Sequence, residues 1–227
     1  MPESTVDSTV RRPVEIPFAA GFLLADLSVT RGAKGIVLFA HGSGSGRRSP
    51  RNRAVAENLE RHGFATLLLD LLTTDEARED ERTMAYRFQI PLLGERLVAA
   101  VDWLEADPGL HSLRIGLYGA STGGAAALVA AAARPKRVDA LVLRGARSDM
   151  AADSIAQVEA PTLHIVGGLD LSILEIARET DRLLHSPHSI IVVPNATHLF
   201  EERGALEAVA GHAVDWFRQY LPPRAVS

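Results

Sequence analysis

The stretch Leu113-Arg-Ile-Gly-Leu-Tyr-Gly-Ala-Ser-Thr-Gly123 joins a short apolar run to a small-residue segment, Thr122 to Ala133. The apolar run predicts a buried β-strand, and the alanine-rich segment after it predicts a helix packed closely against a sheet. Between them lies the pattern G-x-S-x-G, in which a serine occupies a sharp turn between a strand and a helix. Small residues on both sides of Ser121 meet the steric demand of that turn. The stretch therefore predicts a strand–turn–helix unit that exposes the Ser121 hydroxyl.

Alternation of strand and helix continues outward from this unit in both directions. Apolar runs that stop at turn residues predict parallel strands at 35–40, 64–69, 113–118, 138–143, 162–166 and 189–193. Helical periodicity predicts helices at 53–62, 92–104, 122–133, 171–184 and 206–221. Segments 13–18 and 23–29 are typical of antiparallel edge strands. We therefore predict one domain, 1–227, with a doubly wound, mostly parallel α/β sheet and loosely ordered ends at 1–12 and 222–227.

Composition excludes several classes of protein. The 227 residues include no cysteine, which excludes a disulfide scaffold, a thiolate metal site and a cysteine nucleophile. The formal net charge of −4 does not suggest nucleic acid or an anionic membrane as the partner. Because no apolar stretch reaches the length of a membrane span and the first residues lack a secretory signal, we expect a cytoplasmic protein. A homodimer remains open.

Three residues that can form a catalytic triad each follow a predicted strand. Ligand sites of doubly wound sheets form at the carboxyl ends of the strands, where Ser121, Asp170 and His198 lie. Their chain order is nucleophile, acid, base, so we expect His198 to take the Ser121 proton and Asp170 to orient the imidazole. Asp149 is a rival acid. We rank it lower because the turn at 167–168 can bring Asp170 to the histidine.

Two backbone N–H groups can stabilise the negative charge that develops during attack by such a serine. We expect one from Thr122 and the other from Ser43, with Gly44 as the alternative to Ser43. The loop around Ser43 lacks the lysine and the glycine spacing of a nucleotide-binding motif, which disfavours nucleotide binding. His41 is interpreted as structural. No metal ion and no organic cofactor is implied.

These motifs resemble those of compact α/β-hydrolases, specifically the dienelactone-hydrolase-like group. The pieces that carry the resemblance are His41-Gly-Ser-Gly-Ser-Gly46, Asp70-Leu-Leu-Thr73, Ile90-Pro-Leu-Leu93, Gly119-Ala-Ser-Thr-Gly-Gly124, Gly167-Gly-Leu-Asp170 and Ala196-Thr-His-Leu-Phe-Glu-Glu202. The resemblance implies the α/β-hydrolase fold, the triad Ser121–Asp170–His198 and hydrolysis of an ester-like bond. Dienelactone hydrolases proper use a cysteine nucleophile, so lactone specificity does not carry over. Some relatives are fused to phosphoribosyltransferase domains.

The connections between strands bear on the substrate. Residues 144–160 are too few for a large cap domain, so we expect an open site for a small to medium ester. Arginines near strand ends suggest an anionic substrate held by Arg51 and Arg144, although a charged rim paired with acidic residues is the simpler interpretation. Segment 73–89 is either a flap over the site or a surface connection, and we favour the flap.

Other functions remain open on the same residues. An acyltransferase, or a hydrolase of lactones, thioesters or polyesters, would use the same machinery. A non-enzymatic accessory domain would keep the fold without needing all three triad residues. Added nucleophile in the assay separates acyl transfer from hydrolysis.

Overall fold

The computed structural model describes residues 9–223 and contains one eight-stranded sheet covered by helices on both faces. The strands are β1 Thr9–Phe18, β2 Gly21–Thr30, β3 Ile36–Ala40, β4 Ala65–Leu69, β5 Ile115–Ala120, β6 Val138–Arg144, β7 Thr162–Gly167 and β8 His188–Val193. The helices are α1 Pro50–Arg61, α2 Thr74–Thr83, α3 Ile90–Ala106, α4 Thr122–Ala133, α5 Ala152–Ile155, α6 Leu171–Leu183 and α7 Ala205–Tyr220. The strand order is β1-β2-β4-β3-β5-β6-β7-β8. From β4 to β8 in this order every pairing is parallel.

The doubly wound, mostly parallel sheet predicted from the sequence is confirmed, with two corrections at its first strands. Of the two predicted edge strands only β1 lies at an edge, because β2 pairs with both β1 and β4. The prediction of loose order is wrong for 9–12, since these residues form ladder pairs with β2 from Thr9 and Thr30 onward. The rest of the predicted N-terminal segment, 1–8, and residues 224–227 lie outside the described residues.

Two apolar layers hold the helices on the sheet. On one face, α3, α4 and α5 share a buried cluster that includes Leu97 and Leu128. On the other face, α1 and α7 pack through a cluster that includes Leu59 and Phe217. Small residues allow α3 and α4 to approach closely, because a Cβ on Gly94 would lie 2.5 Å from a methyl carbon of Val129. No helix within 9–223 is both long and apolar enough to span a bilayer.

The connection between β6 and β7 is short, as its sequence predicts. It contains a 3-10 turn, Ser148–Ala151, followed directly by the single-turn helix α5. No large cap domain is therefore inserted between β6 and β7.

The segment from 73 to 89 contains an ordered helix that the sequence analysis missed. Thr73 and Glu76 form a reciprocal capping box at the start of α2. The carboxylate of Asp80 is buried and accepts hydrogen bonds from the backbone N–H groups of Tyr86 and Arg87 and from the Arg87 guanidinium. These bonds fix the chain after α2. Whether the segment also moves as a flap stays a prediction.

Candidate active site

Ser121 occupies a strained turn between β5 and α4. Its backbone has φ 51° and ψ −121°, a left-handed region that non-glycine residues seldom adopt. Close packing around the turn demands glycine at its neighbours, because a Cβ on Gly119 would lie 2.5 Å from the Cα of Gly124. A Cβ on Gly123 would lie 2.3 Å from the carbonyl oxygen of Ala40. The G-x-S-x-G pattern thus has the steric cause that the sequence suggested.

Asp170 and His198 meet at the ends of two neighbouring strands. Asp170 follows β7 and His198 lies in the loop after β8. The Nδ1 atom of His198 donates a hydrogen bond to Oδ2 of Asp170 over 2.6 Å. That bond keeps the proton on Nδ1 and leaves Nε2 available as a base.

The Ser121 hydroxyl and the imidazole share one cavity of about 440 Å³, which Asp170 also lines. Within the described chain, no hydrogen bond joins Ser121 to His198. Catalytic hydrogen bonds are often long until substrate binds, so this separation is compatible with proton transfer from Ser121 to His198. The structure therefore brings together all three residues that the sequence singled out.

The rival acid, Asp149, is held elsewhere. Arg147 donates to both of its carboxylate oxygens, over 2.9 Å and 2.7 Å. The same guanidinium lowers the pKa of the Asp149 carboxyl, chiefly through these hydrogen bonds. Asp149 is therefore an ion-pair partner of Arg147, and Asp170 is the acid that contacts the histidine.

Two of the three candidate oxyanion donors line the cavity at Ser121. Among residues 9–223, the backbone N–H groups of Ser43, Gly44 and Thr122 have no hydrogen-bond partner. Ser43 and Thr122 line the cavity that contains Ser121. Gly44 lines a neighbouring cavity of about 480 Å³, between the 42–48 loop and α2. The geometry favours Ser43 over Gly44 as the second donor.

His41 supports the loop that carries Ser43. The Leu71 N–H donates to Nε2 of His41 over 3.0 Å, so the ring proton lies on Nδ1, which donates to the carbonyl of Gly42 over 2.9 Å. Burial lowers the pKa of this imidazole below its ordinary value. His41 is therefore neutral and structural, as its position in the sequence suggested.

The arginines predicted to contact substrate lie outside the cavity at Ser121. Arg51 pairs with Glu201 over 3.1 Å at the surface. Arg144 is 7% exposed, with its guanidinium directed at the carbonyl of His198. The prediction of direct substrate contact is therefore corrected for Arg144, because its charged group is buried beneath the histidine loop.

Arg147 is the arginine that lines the cavity, and the sequence analysis did not select it. Its position three residues after β6 is the signal that could have identified it. Phe88, Ile173 and Ile176 form an apolar part of a lining that is otherwise polar. The cavity therefore combines an apolar wall with one cation already paired to Asp149. Within residues 9–223, no group of three or more His, Asp or Glu side chains is arranged to hold a metal ion.

A parallel sheet with a serine on a strained strand-to-helix turn, served by an Asp–His pair at adjacent strand ends, defines the α/β-hydrolase class. Within that class, the model of the dienelactone hydrolase family matches residues 22–221, and the chain belongs to this family. The prediction of a dienelactone-hydrolase-like protein is confirmed.

Three similar proteins frame this assignment. The crystal structure of a dienelactone hydrolase from Anabaena variabilis is 50% identical, with a TM-score of 0.92 over 93% of this chain and 98% of that one. A Mycobacterium tuberculosis protein, provisionally named a phosphoribosyl transferase, is 52% identical over 86% of this chain and 43% of its own length. The chain thus spans less than half of that relative. A bis(hydroxyethyl) terephthalate hydrolase of Streptomyces coelicolor is 25% identical over 97% of this chain and 68% of that protein.

Proposed function

We propose that this hydrolase cleaves carboxylic esters through an acyl-enzyme formed on Ser121. The observation that carries the proposal is the single cavity shared by Ser121, on its strained turn, and His198, hydrogen-bonded to Asp170. This arrangement supplies a nucleophile, a base and a group that orients the base.

Each half-reaction uses the same groups. The Ser121 oxygen bonds to the ester carbonyl carbon while His198 Nε2 takes the hydroxyl proton, and the N–H groups of Thr122 and Ser43 stabilise the oxyanion. The carbon–oxygen bond to the alcohol then breaks, and the imidazolium protonates the departing oxygen. Water then attacks the acyl carbon while His198 takes one of its protons. The bond from that carbon to the Ser121 oxygen breaks, the imidazolium returns the proton to Ser121, and the carboxylic acid is released.

Features of the cavity support small to medium esters with an apolar part. Phe88, Ile173 and Ile176 offer apolar contact beside the nucleophile. A second cavity adjoins the first at Ser43 and Thr122, which line both, so space for substrate continues past the candidate oxyanion donors. The terephthalate ester named for the Streptomyces relative is compatible with this lining. Because Arg147 is already paired with Asp149, we expect no requirement for an anionic substrate.

Hydrolysis of p-nitrophenyl acetate, p-nitrophenyl butyrate and bis(hydroxyethyl) terephthalate tests the proposal. We expect turnover of at least one ester by the wild-type protein and a loss of about 10⁴-fold or more in kcat for Ser121→Ala. Ser112→Ala, at an exposed serine in the turn before β5, is the matched control and should retain turnover. Equal rates for wild type and Ser121→Ala would contradict the proposal. Adding an alcohol and analysing products separates ester hydrolysis from acyl transfer.

A further inference from the structure

Arg144 is a buried cation without an acidic partner. It is the last residue of β6, and its side chain is 7% exposed. In the part of the chain that the structure describes, no carboxylate forms an ion pair with it. Its Nη1 donates to the carbonyl oxygen of His198 over 3.5 Å, and its Cζ lies 5.6 Å from the ring centroid of Phe200. Every one of these contacts is to the loop after β8.

Packing alone does not account for an arginine at this position. Burying a charge without a counter-charge costs free energy, and an apolar side chain of similar volume commonly serves a buried site better. The surroundings compensate only in part: the positive charge of Arg144 opposes the rise that burial causes in the pKa of the neighbouring Tyr118 hydroxyl, whereas the Nε atom of Arg144 has no hydrogen-bond partner among residues 9–223. The other contacts of the guanidinium are to His198 and Phe200, in the loop that carries the candidate base, and they suggest what the charge does.

The loop after β8, which Arg144 contacts, has a strained backbone that its surroundings must hold in place. Asn195 and Phe200, on either side of His198, both have left-handed backbone angles, with φ of 58° and 55°. Such angles cost about 1 kcal/mol or more for residues other than glycine and persist only where the surroundings hold them. Phe200 is buried and lies against the guanidinium, which offers both a hydrogen bond and a cation–π contact. Arg144 therefore contacts the loop at the catalytic histidine and at one of its strained residues.

The backbone of the same residue holds the nucleophile turn. The carbonyl oxygen of Arg144 accepts a hydrogen bond from the Ser121 N–H over 3.1 Å. The next residue, Gly145, lies directly against the His198 imidazole. One strand end thus touches the serine through its backbone and the histidine loop through its side chain.

We propose that Arg144 is a positioning residue that sets the placement of the His198 imidazole relative to Ser121, and that it does not contact substrate. The proposal rests on the proposed function of Ser121 and His198. It predicts that loss of the guanidinium misplaces the base, which lowers kcat and leaves KM nearly unchanged.

The test compares Arg144→Met and Arg144→Lys with Arg96→Met. Arg96 is a matched control, because it is also buried, lies 3.7 Å from the ring centroid of Phe18 and pairs with Glu76 far along the chain from the triad. We expect Arg144→Met to lower kcat for p-nitrophenyl acetate about 10- to 100-fold with KM within twofold. Arg144→Lys should recover part of that loss, since an ammonium can still donate to the His198 carbonyl. Arg96→Met should keep the wild-type kcat.

A second readout does not depend on turnover. The proton on Nδ1 of His198, held in a short hydrogen bond to Asp170, should give a downfield proton resonance that His198→Ala removes. We expect Arg144→Met to shift or broaden this resonance and Arg96→Met to preserve it.

Unchanged kcat and an unchanged resonance in folded Arg144→Met would overturn the proposal. A raised KM at constant kcat would also overturn it, because that result indicates substrate contact. If the wild type hydrolyses no ester, the proposed function fails, and the resonance alone then decides whether Arg144 places the imidazole. If Arg144→Met does not fold, the same readouts on Arg144→Lys decide.

Discussion

Replacing Gly145 by alanine should displace the catalytic imidazole without removing any catalytic group. Gly145 has φ +54°, and a Cβ built there would lie 3.2 Å from Cε1 and 3.3 Å from Nδ1 of His198. Contacts this short require the neighbour to give way by a few tenths of an ångström. The neighbour is the ring of His198, the proposed base, so the displacement changes the position of the imidazole relative to Ser121.

The expected losses of stability and of kcat both follow from this geometry. A left-handed backbone costs alanine about 1 to 2 kcal/mol relative to glycine, which is the expected loss in free energy of unfolding. A misplacement of 1 Å can cost about 10²-fold in rate, so a shift of a few tenths of an ångström should lower kcat by about 3- to 10-fold.

Gly32→Ala separates the two effects. Gly32 also has a left-handed backbone, with φ +68°, but a Cβ there would meet no atom within 4 Å. Urea unfolding and the kcat for p-nitrophenyl acetate are measured for both variants. We expect similar losses of stability and a loss of kcat in Gly145→Ala alone. A kcat for Gly145→Ala equal to that of Gly32→Ala would refute the reasoning that this contact places the imidazole.

Two further predictions concern titratable groups. Asp170→Asn should lower kcat by about 10⁴-fold, because an amide can donate to Nδ1 of His198 and stabilise the wrong imidazole tautomer. The kcat of Asp149→Asn should stay within a few-fold of wild type. Similar losses of kcat in both variants would contradict the assignment of Asp170 as the acid. Burial lowers the pKa of His164 to about 4, with a smaller contribution from the charge of His188. Below pH 6.5 the unfolded chain therefore binds a proton that the folded protein excludes, and stability should fall by up to about 3 kcal/mol as the pH drops to 4. Urea unfolding measures this free energy between pH 4 and pH 7. As the pH falls, the free energy of unfolding should decline less steeply for His164→Leu than for wild type, and the decline that remains includes the contribution of His41. Equal slopes for the two proteins would show that His164 stays accessible to protons in the folded state.

The sheet could be predicted because its strands are continuous apolar runs. A strand buried on both faces, such as β3, needs apolar side chains at every position, so its pattern is visible without knowledge of its neighbours. Helix α4 could also be predicted, because its small residues indicate close packing against the sheet. The triad followed because its three members stand directly after strands, where the parallel topology brings strand ends to one edge.

Helix α2 was not predicted from the sequence because no apolar stripe holds it in place. Its ten residues are mostly charged, and what holds the segment is the capping box and the buried carboxylate of Asp80. The capping box is readable in the sequence as Thr73 followed by Glu76. That Asp80 turns inward to bind the chain at Arg87 depends on a tertiary contact, which local pattern cannot reveal.

The role of Arg144 was misjudged for a related reason. Side chains alternate between the two faces of a strand, so a shift of one position decides whether an arginine at a strand end faces the cavity or the interior. Arg144 pairs in register with Ala120 and turns toward the loop after β8, whereas Arg147, beyond the strand, reaches the cavity. The two arginines lie only three residues apart in the sequence, and what separates them is that Arg144 ends the strand whereas Arg147 lies in the loop after it.

Activation of Ser121 is the central claim, and intact-mass spectrometry after treatment with a fluorophosphonate tests it most directly. Such a reagent phosphonylates a serine whose hydroxyl is activated by a neighbouring base. We predict one stoichiometric adduct on the wild-type protein and none on Ser121→Ala. A folded wild-type protein that gains no adduct, or a Ser121→Ala variant that gains the same one, would contradict the account.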